Sequence, residues 1–382
     1  MRNITSKNKK SSLGIIGGGQ LGRMLVQAAQ NLNIKTVVLD PTPQSPAGQI
    51  ADKQVVGNYK DPKMIKKLAS LVDFLTYEIE SAHAQSLVEL KGAGKSIHPS
   101  PKTLKIIQDK YLQKQILKKA NVPVPDFLSV ETIDDIKRAA KKFGFPLVIK
   151  ARHHGFDGRG NARLAKESDI KKALLKLGTR DLYVEKLVPF KSELAIQVVK
   201  SGKTTKIYPL VETIQKNDIC HIVIAPARVT DTVKKQANII TGKVAKMLKG
   251  NGVFAIEMFL TKNNKVLVNE IAPRVHNSGH YTIEATNASQ FEHHVRAVCK
   301  LPLKSIKMTS PAAVMVNILG TRNSPAVPKG IESAQKLENV FVHIYGKAQT
   351  KKERKMGHVT ALGENVKEAL AKAQKARKLI TI

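Results

Sequence analysis

The sequence predicts a multidomain chain of α/β and α+β units, and three observations carry that prediction. A short apolar run, Leu13-Gly14-Ile15-Ile16, meets the glycine cluster Gly17–Gly22 and gives way to a helical pattern. Strand-like and helix-like runs then alternate as far as His98-Pro99-Ser100-Pro101, which punctuates the chain. The length of 382 residues and the 42% hydrophobic composition suffice for two or three domains with real cores, and exclude a disordered polybasic chain.

The elements follow in order. Residues 13–16 predict a strand, Leu21 to Leu32 a helix, and Lys35 to Leu39 a second strand ending at Asp40-Pro41, a βαβ opening. A helix over Pro62–Leu71, the apolar Phe74-Leu75-Thr76 and the acids Glu78 and Glu80 continue the alternation. One Lys-rich helix is predicted over 103–119, leading to Val122-Pro123-Val124-Pro125. Pro146–Lys150 reads as a strand whose last residue is basic, followed by the glycine-rich segment Gly155–Gly160. Residues 182–188 and 193–199 predict further strands, and two more lie between Val253 and Ile271 around a turn. Towards the C-terminus come strands near 312–319 and 340–346, a basic loop and a closing helix, with no internal repeat.

The net charge of +34 is spread along the whole chain, much of it as Lys on outer helix faces such as Lys137, Arg138, Lys141 and Lys142. A nucleic-acid binder can look like this, but aromatics are only 4% and no recognition motif accompanies the charge. A lysine-rich solvated surface without specific nucleic-acid binding is the expectation. Two cysteines, Cys220 and Cys299, cannot build a disulfide framework, which predicts a reduced, cytoplasmic protein. No run approaches the ~18 apolar residues a membrane span needs. Residues 1–12 carry Arg2, Lys7, Lys9 and Lys10 without an apolar segment, and read as an untargeted basic extension.

Three motifs carry chemistry. Gly17-Gly18-Gly19-Gln20-Leu21-Gly22 fits G-x-G-x-x-G, with Asp40 placed where a ribose-binding acid would stand. A dinucleotide, another phosphorylated ligand and a purely structural turn all remain open for it. Glu257 and Glu270 form the second motif. If Asn263-Asn264 is a two-residue hairpin turn, the two acids sit opposite each other on one sheet face, where like charges call for a cation between them. Hard oxygen ligands beside phosphates suit Mg²⁺, which Mn²⁺ can replace chemically; two exposed acids on a solvated face are the alternative. Third, Lys150 ends its strand just before Gly155, Gly158 and Gly160, whose backbone N–H groups could cover a triphosphate. Glu185-Lys186-Leu187-Val188 ends another strand, where a carboxylate and backbone groups could grip an adenine or ribose.

Lys110, Lys150, Gly155–Gly160, Glu185, Glu193, Glu257 and Asn269-Glu270, in this order, resemble the ATP-grasp ligases. The finer resemblance is to the 5-(carboxyamino)imidazole ribonucleotide synthase family, carried by Gly17–Met24, Gly155–Gly160, Asn269–His280 and Ser289–Glu292. It runs from about Leu13 to His358. The resemblance implies a Rossmann-like domain over 13–100, an ATP-grasp domain over 101–302 and a small β-rich C-terminal domain over 303–382, in a homodimer. It implies ATP, bicarbonate and 5-aminoimidazole ribonucleotide as substrates, carboxylated through carboxyphosphate in purine biosynthesis. Glu257 and Glu270 would hold the metal, and Lys110 and Lys150 the phosphates. Arg274, His276 and Asn277 would bind bicarbonate, and Asp157 would meet the substrate amine. The nucleotide site would also draw on Gly155, Phe156, Asp157, Gly158, Arg159, Gly160, Asn161, Glu185, Lys186, Leu187, Val188, Glu193, Gln215 and Asn269. Gly19, Gln20, Leu21 and Glu78 would line the ribonucleotide pocket, with Lys347 and Arg354 on its phosphate and Lys355 competing for that job.

Three positions depart from the family pattern: Phe156 where Tyr is usual, Gln215 where many members have His, and Asn161 where many have Gln. Two other readings compete. Another ATP-grasp ligase, or a formate-dependent transformylase, would share the nucleotide site but not Arg274–His280; a nicotinamide-dependent dehydrogenase would use Gly17–Gly22 and need no Mg²⁺.

Overall fold

The computed structural model describes residues 11–153, 155, 160–178 and 181–382. Its N-terminal part is a parallel sheet of five strands in the order Lys53–Val56, Lys35–Asp40, Ser12–Ile16, Phe74–Tyr77, Ser96–Ile97. The helix Gln20–Asn31 makes the first crossover and buries Leu21, Met24, Leu25 and Ala28. Strand order reverses between Ser12–Ile16 and Phe74–Tyr77. Gly17 and Glu78 follow the C-terminal ends of those two strands, the crevice where open α/β sheets take their ligands.

The Lys-rich segment forms two helices rather than one, Pro101–Gln108 and Lys110–Lys119. The break has a cause in Asp109, which is extended and accepts from the backbone N–H groups of Tyr111 and Leu112 at 3.0 and 3.1 Å. An Asp cap competes with continuing the helix, and a helical periodicity alone does not show it. As a consequence Lys110 opens the second helix. The inward face of that helix carries Gln113, Lys114 and Leu117.

A four-stranded antiparallel sheet follows, in the order Phe127–Val130, Leu182–Lys186, Leu147–Ala151, Asn161–Leu164. Helices Ile133–Phe143 and Ile170–Leu177 contribute to its core through Ile136, Ala139, Ile170, Ala173 and Leu177. The glycine-rich segment connects two adjacent strands, Leu147–Ala151 and Asn161–Leu164. Phe156, Asp157, Gly158 and Arg159 lie outside the described residues.

The largest sheet runs Val266–Ala272, Gly252–Thr261, Phe190–Ser201, Val211–Lys216, Ile219–Ala225, Ala312–Leu319, Lys355–Gly363, Val340–Ile344, with Thr204–Ile207 paired beside Phe190–Ser201. The C-terminal strands are therefore not a sheet of their own. Ala312–Leu319 pairs antiparallel with Ile219–Ala225, so the hydrogen-bonded ladder crosses the boundary placed at 302/303. Sequence patterning missed Val211–Lys216, Ile219–Ala225, the helix Asp231–Met247 and the strand Lys355–Gly363. Gly357, His358 and Thr360 interrupt the apolar pattern of that last strand although all three are buried in place.

The hairpin that presents Glu257 and Glu270 has a longer turn than predicted. Thr261 N–H bonds to Lys265 O at 2.9 Å and Asn264 N–H to Thr261 O at 3.0 Å, so three residues, not two, make the loop. Asn264 takes the left-handed conformation, φ 57°, that such loops require. That turn alone would set Glu257 opposite Asn269. A β-bulge restores the register: Met258 faces Val268, but Glu257 faces Glu270.

Candidate active site

A cavity of about 2110 Å³ opens where the three sheets meet. The N-terminal sheet supplies Gly19, Gln20, Leu21 and Glu78; the four-stranded sheet and its glycine segment supply Lys150, Gly155, Gly160 and Asn161. The large sheet adds Glu193, Gln215, Glu257, Asn269 and Glu270. Arg274, His276 and Asn277 enter from the segment after Val266–Ala272, and Lys347 and Arg354 from the connections between Val340–Ile344 and Lys355–Gly363. Lys110 and Leu187 complete the predicted residues on its wall. Residues scattered over almost the whole chain thus converge on one space.

Its electrostatic centre is the acidic pair. Lys110 Nζ lies 2.5 Å from Glu270 Oε2, while His276 Nε2 is 3.6 Å from Glu257 Oε1. Burial opposes charge on both acids. At Glu270 the ammonium of Lys110 outweighs burial and holds the carboxyl well below the usual carboxylate range. At Glu257 burial and the neighbouring Glu270 charge push the carboxyl up. Two half-buried carboxyl groups facing each other are a donor pair that a hard divalent cation takes. These residues fit Mg²⁺. Among the described residues no cluster of three or more His, Cys, Asp or Glu ligands occurs.

Beside the pair stands the anion-binding arm. Arg274 Nη2 is fixed 3.0 Å from Glu80 Oε1. Asn277 and Asn317 exchange amide hydrogen bonds of 3.0 and 2.8 Å, so part of the Asn277 amide is already committed. Burial, then Arg274 and Lys355, bring the imidazole of His276 down to about 3, leaving it neutral.

The phosphate-binding arm departs from expectation in one respect. Lys150 Nζ lies 2.6 Å from Glu185 Oε2 and 3.5 Å from Asn269 Oδ1. Glu185 also meets Lys114 Nζ at 2.9 Å. Glu185 is only 2% exposed, so its carboxylate positions two lysines and does not reach into the cavity for an adenine or ribose. Lys186 and Val188 lie off the cavity wall, and the N–H groups of Lys186 and Leu187 bond to Asp126 O and Pro146 O. Burial, with Asp218 nearby, raises the carboxyl of Glu193 to about 7. Lys347 donates to Lys355 O at 2.7 Å, and Arg354 to Gln349 O at 2.7 Å, which anchors both stems at the cavity rim.

The glycine turn is filled from within. Gly18 N–H bonds to Asp40 Oδ2 and Gly19 N–H to Glu78 Oε1, both at 2.8 Å. Those donors are the ones a pyrophosphate would need at a helix N-terminus. Asp40 is spent on the turn, and that removes the ribose-binding role on which the dehydrogenase reading depends.

Sequence reasoning missed Lys114, Asn317, Ser278 and Gln197. Lys114 lies one helical turn beyond Lys110, but within Lys110–Lys119 it reads as another surface lysine.

Residues 10–108 match the ribonucleotide synthetase preATP-grasp domain family, residues 115–291 the ATP-grasp domain family, and residues 313–372 the phosphoribosylaminoimidazole carboxylase C-terminal domain. The N5-carboxyaminoimidazole ribonucleotide synthase of Bacillus subtilis is 38% identical over 349 residues, which cover 91% of this chain and 90% of that protein. A crystal structure of the Aspergillus clavatus N5-carboxyaminoimidazole synthase in complex with ADP and 5-aminoimidazole ribonucleotide superposes with a TM-score of 0.89, at 38% identity, over 97% of this chain and 98% of that one. The chain belongs to the N5-carboxyaminoimidazole ribonucleotide synthase family. It is an ATP-grasp ligase of that family, whose members convert 5-aminoimidazole ribonucleotide to N5-carboxyaminoimidazole ribonucleotide with ATP in purine biosynthesis. The phosphoribosylaminoimidazole carboxylase of Ogataea methanolica is 46% identical over 365 residues, 93% of this chain but 67% of that protein. The chain spans about two thirds of that relative's length. No described helix is long and apolar enough to cross a membrane.

Proposed function

We propose that this cavity uses ATP and bicarbonate to carboxylate the exocyclic amine of 5-aminoimidazole ribonucleotide, releasing ADP and phosphate. The observation that carries the reading is the bulged hairpin that sets Glu257 against Glu270, with Lys110 and His276 on either side. Glu257 and Glu270 would hold Mg²⁺, which supplies charge neutralisation for the phosphates of ATP. Lys110 and Lys150 bind phosphate oxygens, and Gly155 and Gly160 bring backbone close to them. In phosphoryl transfer the protein contributes mostly position and charge. A bicarbonate oxygen attacks the γ-phosphorus, ADP leaves, and carboxyphosphate forms. Arg274 offers a planar fork, and His276 a neutral N–H, to the carboxylate end of that anion.

The amine nitrogen then bonds to the carboxyl carbon, either directly as phosphate leaves or after carboxyphosphate has split into phosphate and CO₂, and gives up a proton. Asp157, which lies outside the described residues, is the proposed acceptor. Gly19, Gln20, Leu21 and Glu78 form the ribonucleotide wall, with Lys347 and Arg354 on its phosphate. Glu193, Gln215, Asn161 and Asn269 line the nucleotide side. The enzyme is proposed to act as a cytoplasmic homodimer, a state light scattering would check.

The test is phosphate release from Mg·ATP and bicarbonate with and without 5-aminoimidazole ribonucleotide. Release that depends on all three substrates is expected. Release indifferent to the ribonucleotide would point to a different amine substrate, and none without formate would point to a transformylase.

A further inference from the structure

His276 does two jobs at once. Its side chain faces the cavity, and its ring also caps the short helix Asn277–Gly279 by accepting from the backbone N–H of Ser278. A nitrogen that accepts a hydrogen bond carries no proton. The accepting atom is Nδ1, and the same atom is 2.9 Å from Ser278 Oγ. Ser278 is in turn 2.8 Å from Nε2 of Gln197, a side chain with no solvent exposure on the strand Phe190–Ser201. An amide Nε2 can only donate, so the Ser278 hydroxyl proton is directed onward to Nδ1. The backbone N–H of Ser278 demands the same assignment whichever way the Gln197 amide is turned.

From this geometry, and resting on the carboxylation reading above, we infer that Gln197 and Ser278 are positioning residues that lock His276 as the neutral Nε2–H tautomer. The proton of His276 then sits on the nitrogen facing Glu257, 3.6 Å away. His276 is thereby a fixed hydrogen-bond donor to the anion in the cavity and has no lone pair with which to act as a general base there. Glu257 lies within reach of Nε2, and the charges of Arg274, Lys355 and Glu270 also act on the ring. The relay runs from the middle of the large sheet to the cavity, so the tautomer is built into the fold rather than chosen by the ligand.

The test uses the full-length enzyme labelled with ¹⁵N-histidine. Imidazole ¹H–¹⁵N correlations of the unsubstituted protein, assigned by the signal lost in His276→Gln, should show Nδ1 unprotonated and Nε2 protonated. Nδ1 protonated in the unsubstituted enzyme would overturn the inference, and His276→Asn is a second variant for the assignment should His276→Gln fail to fold. In Ser278→Ala the correlation should shift toward a tautomer mixture. Its turnover of the ribonucleotide should fall about tenfold, the scale of one lost hydrogen bond, with KM for ATP unchanged; Ser278→Thr, which keeps the hydroxyl, should recover most of it. Gln197→Met should show the same pattern more weakly. If His276→Gln is impaired while Ser278→Ala keeps both tautomer and turnover, the relay is wrong and the anion-site reading stands. If His276→Gln itself carboxylates normally, the anion-site reading fails first.

Discussion

The glycine turn after Ser12–Ile16 and the hairpin that carries Glu257 and Glu270 both bring carboxylates to one cavity, and they use them in opposite ways. In the turn, Asp40 and Glu78 are consumed by backbone N–H groups 2.8 Å away. In the hairpin, two carboxylates are held face to face with a single lysine, Lys110, bonded to one of them. A satisfied polar group stabilises a fold, and an unsatisfied one invites a ligand. The motif that looks most like a nucleotide loop thus has its donors already taken, and in the proposed reading the phosphate chemistry falls to the less conspicuous pair of acids.

That contrast is broken most severely at Glu270. Glu270→Ala removes one of the two proposed metal ligands and the carboxylate bonded to Lys110. Turnover should fall by about 10³-fold or more in a phosphate-release assay at saturating substrates. Retained activity would show that the hairpin carboxylates are not the metal site. The next largest effect is on stability. Lys114→Met leaves the buried Glu185 with Lys150 alone, and removing one partner of a buried ion pair costs about 3 kcal/mol. Thermal unfolding should report the loss, and it should raise KM for ATP because Lys150 is drawn closer to Glu185. An unchanged KM would separate Lys114 from the nucleotide site.

On the other side of the comparison, Gly17→Ala tests the wall. Gly17 has φ +98°, and a Cβ there would stand 2.7 Å from Glu78 Oε1. The cost should be about 1–3 kcal/mol in unfolding, with KM for the ribonucleotide raised and ATP binding spared. If ATP affinity fell instead, the turn would be a phosphate loop after all.

How far the sequence reveals these features differs between the two regions. The βαβ opening was legible because Leu13–Ile16, the glycines and the amphipathic helix each obey a local rule. The facing of Glu257 and Glu270 was legible too, but for a reason the structure replaces: a two-residue turn and a three-residue turn with a bulge place the two acids in the same register. A bulge has no local signature in Val268-Asn269-Glu270. The relay through Gln197 and Ser278 was hidden more deeply, since it joins residues 81 positions apart whose types carry no motif. Asp109 ended a helix that periodicity had continued, because capping depends on one side chain rather than on a pattern. The strand Lys355–Gly363 was hidden for the opposite reason: its buried Gly357, His358 and Thr360 read as solvent-facing.

The smallest expected effect sharpens the comparison by pH. Glu193 stands on the cavity wall with its carboxyl raised to about 7, burial being the main cause and Asp218 the second. A carboxyl whose folded pKa lies above its unfolded value of 4.5 favours the folded state while protonated. That contribution is fully present below about pH 4.5 and is lost as pH rises through about 7. Glu193→Gln keeps the neutral form at every pH. The variant should therefore match the parent near pH 4.5 and unfold at a higher temperature near pH 8. The difference should be about 1–2 kcal/mol, smaller than the full shift because the side chain retains some contact with solvent. Glu78, whose carboxyl burial raises from its ordinary value although Gly19 N–H bonds to it, should respond to Glu78→Gln in the same direction, by less because the substitution also weakens that acceptor. A Glu193→Gln variant no more stable than its parent near pH 8 would show that burial does not disfavour the charged carboxylate at this wall.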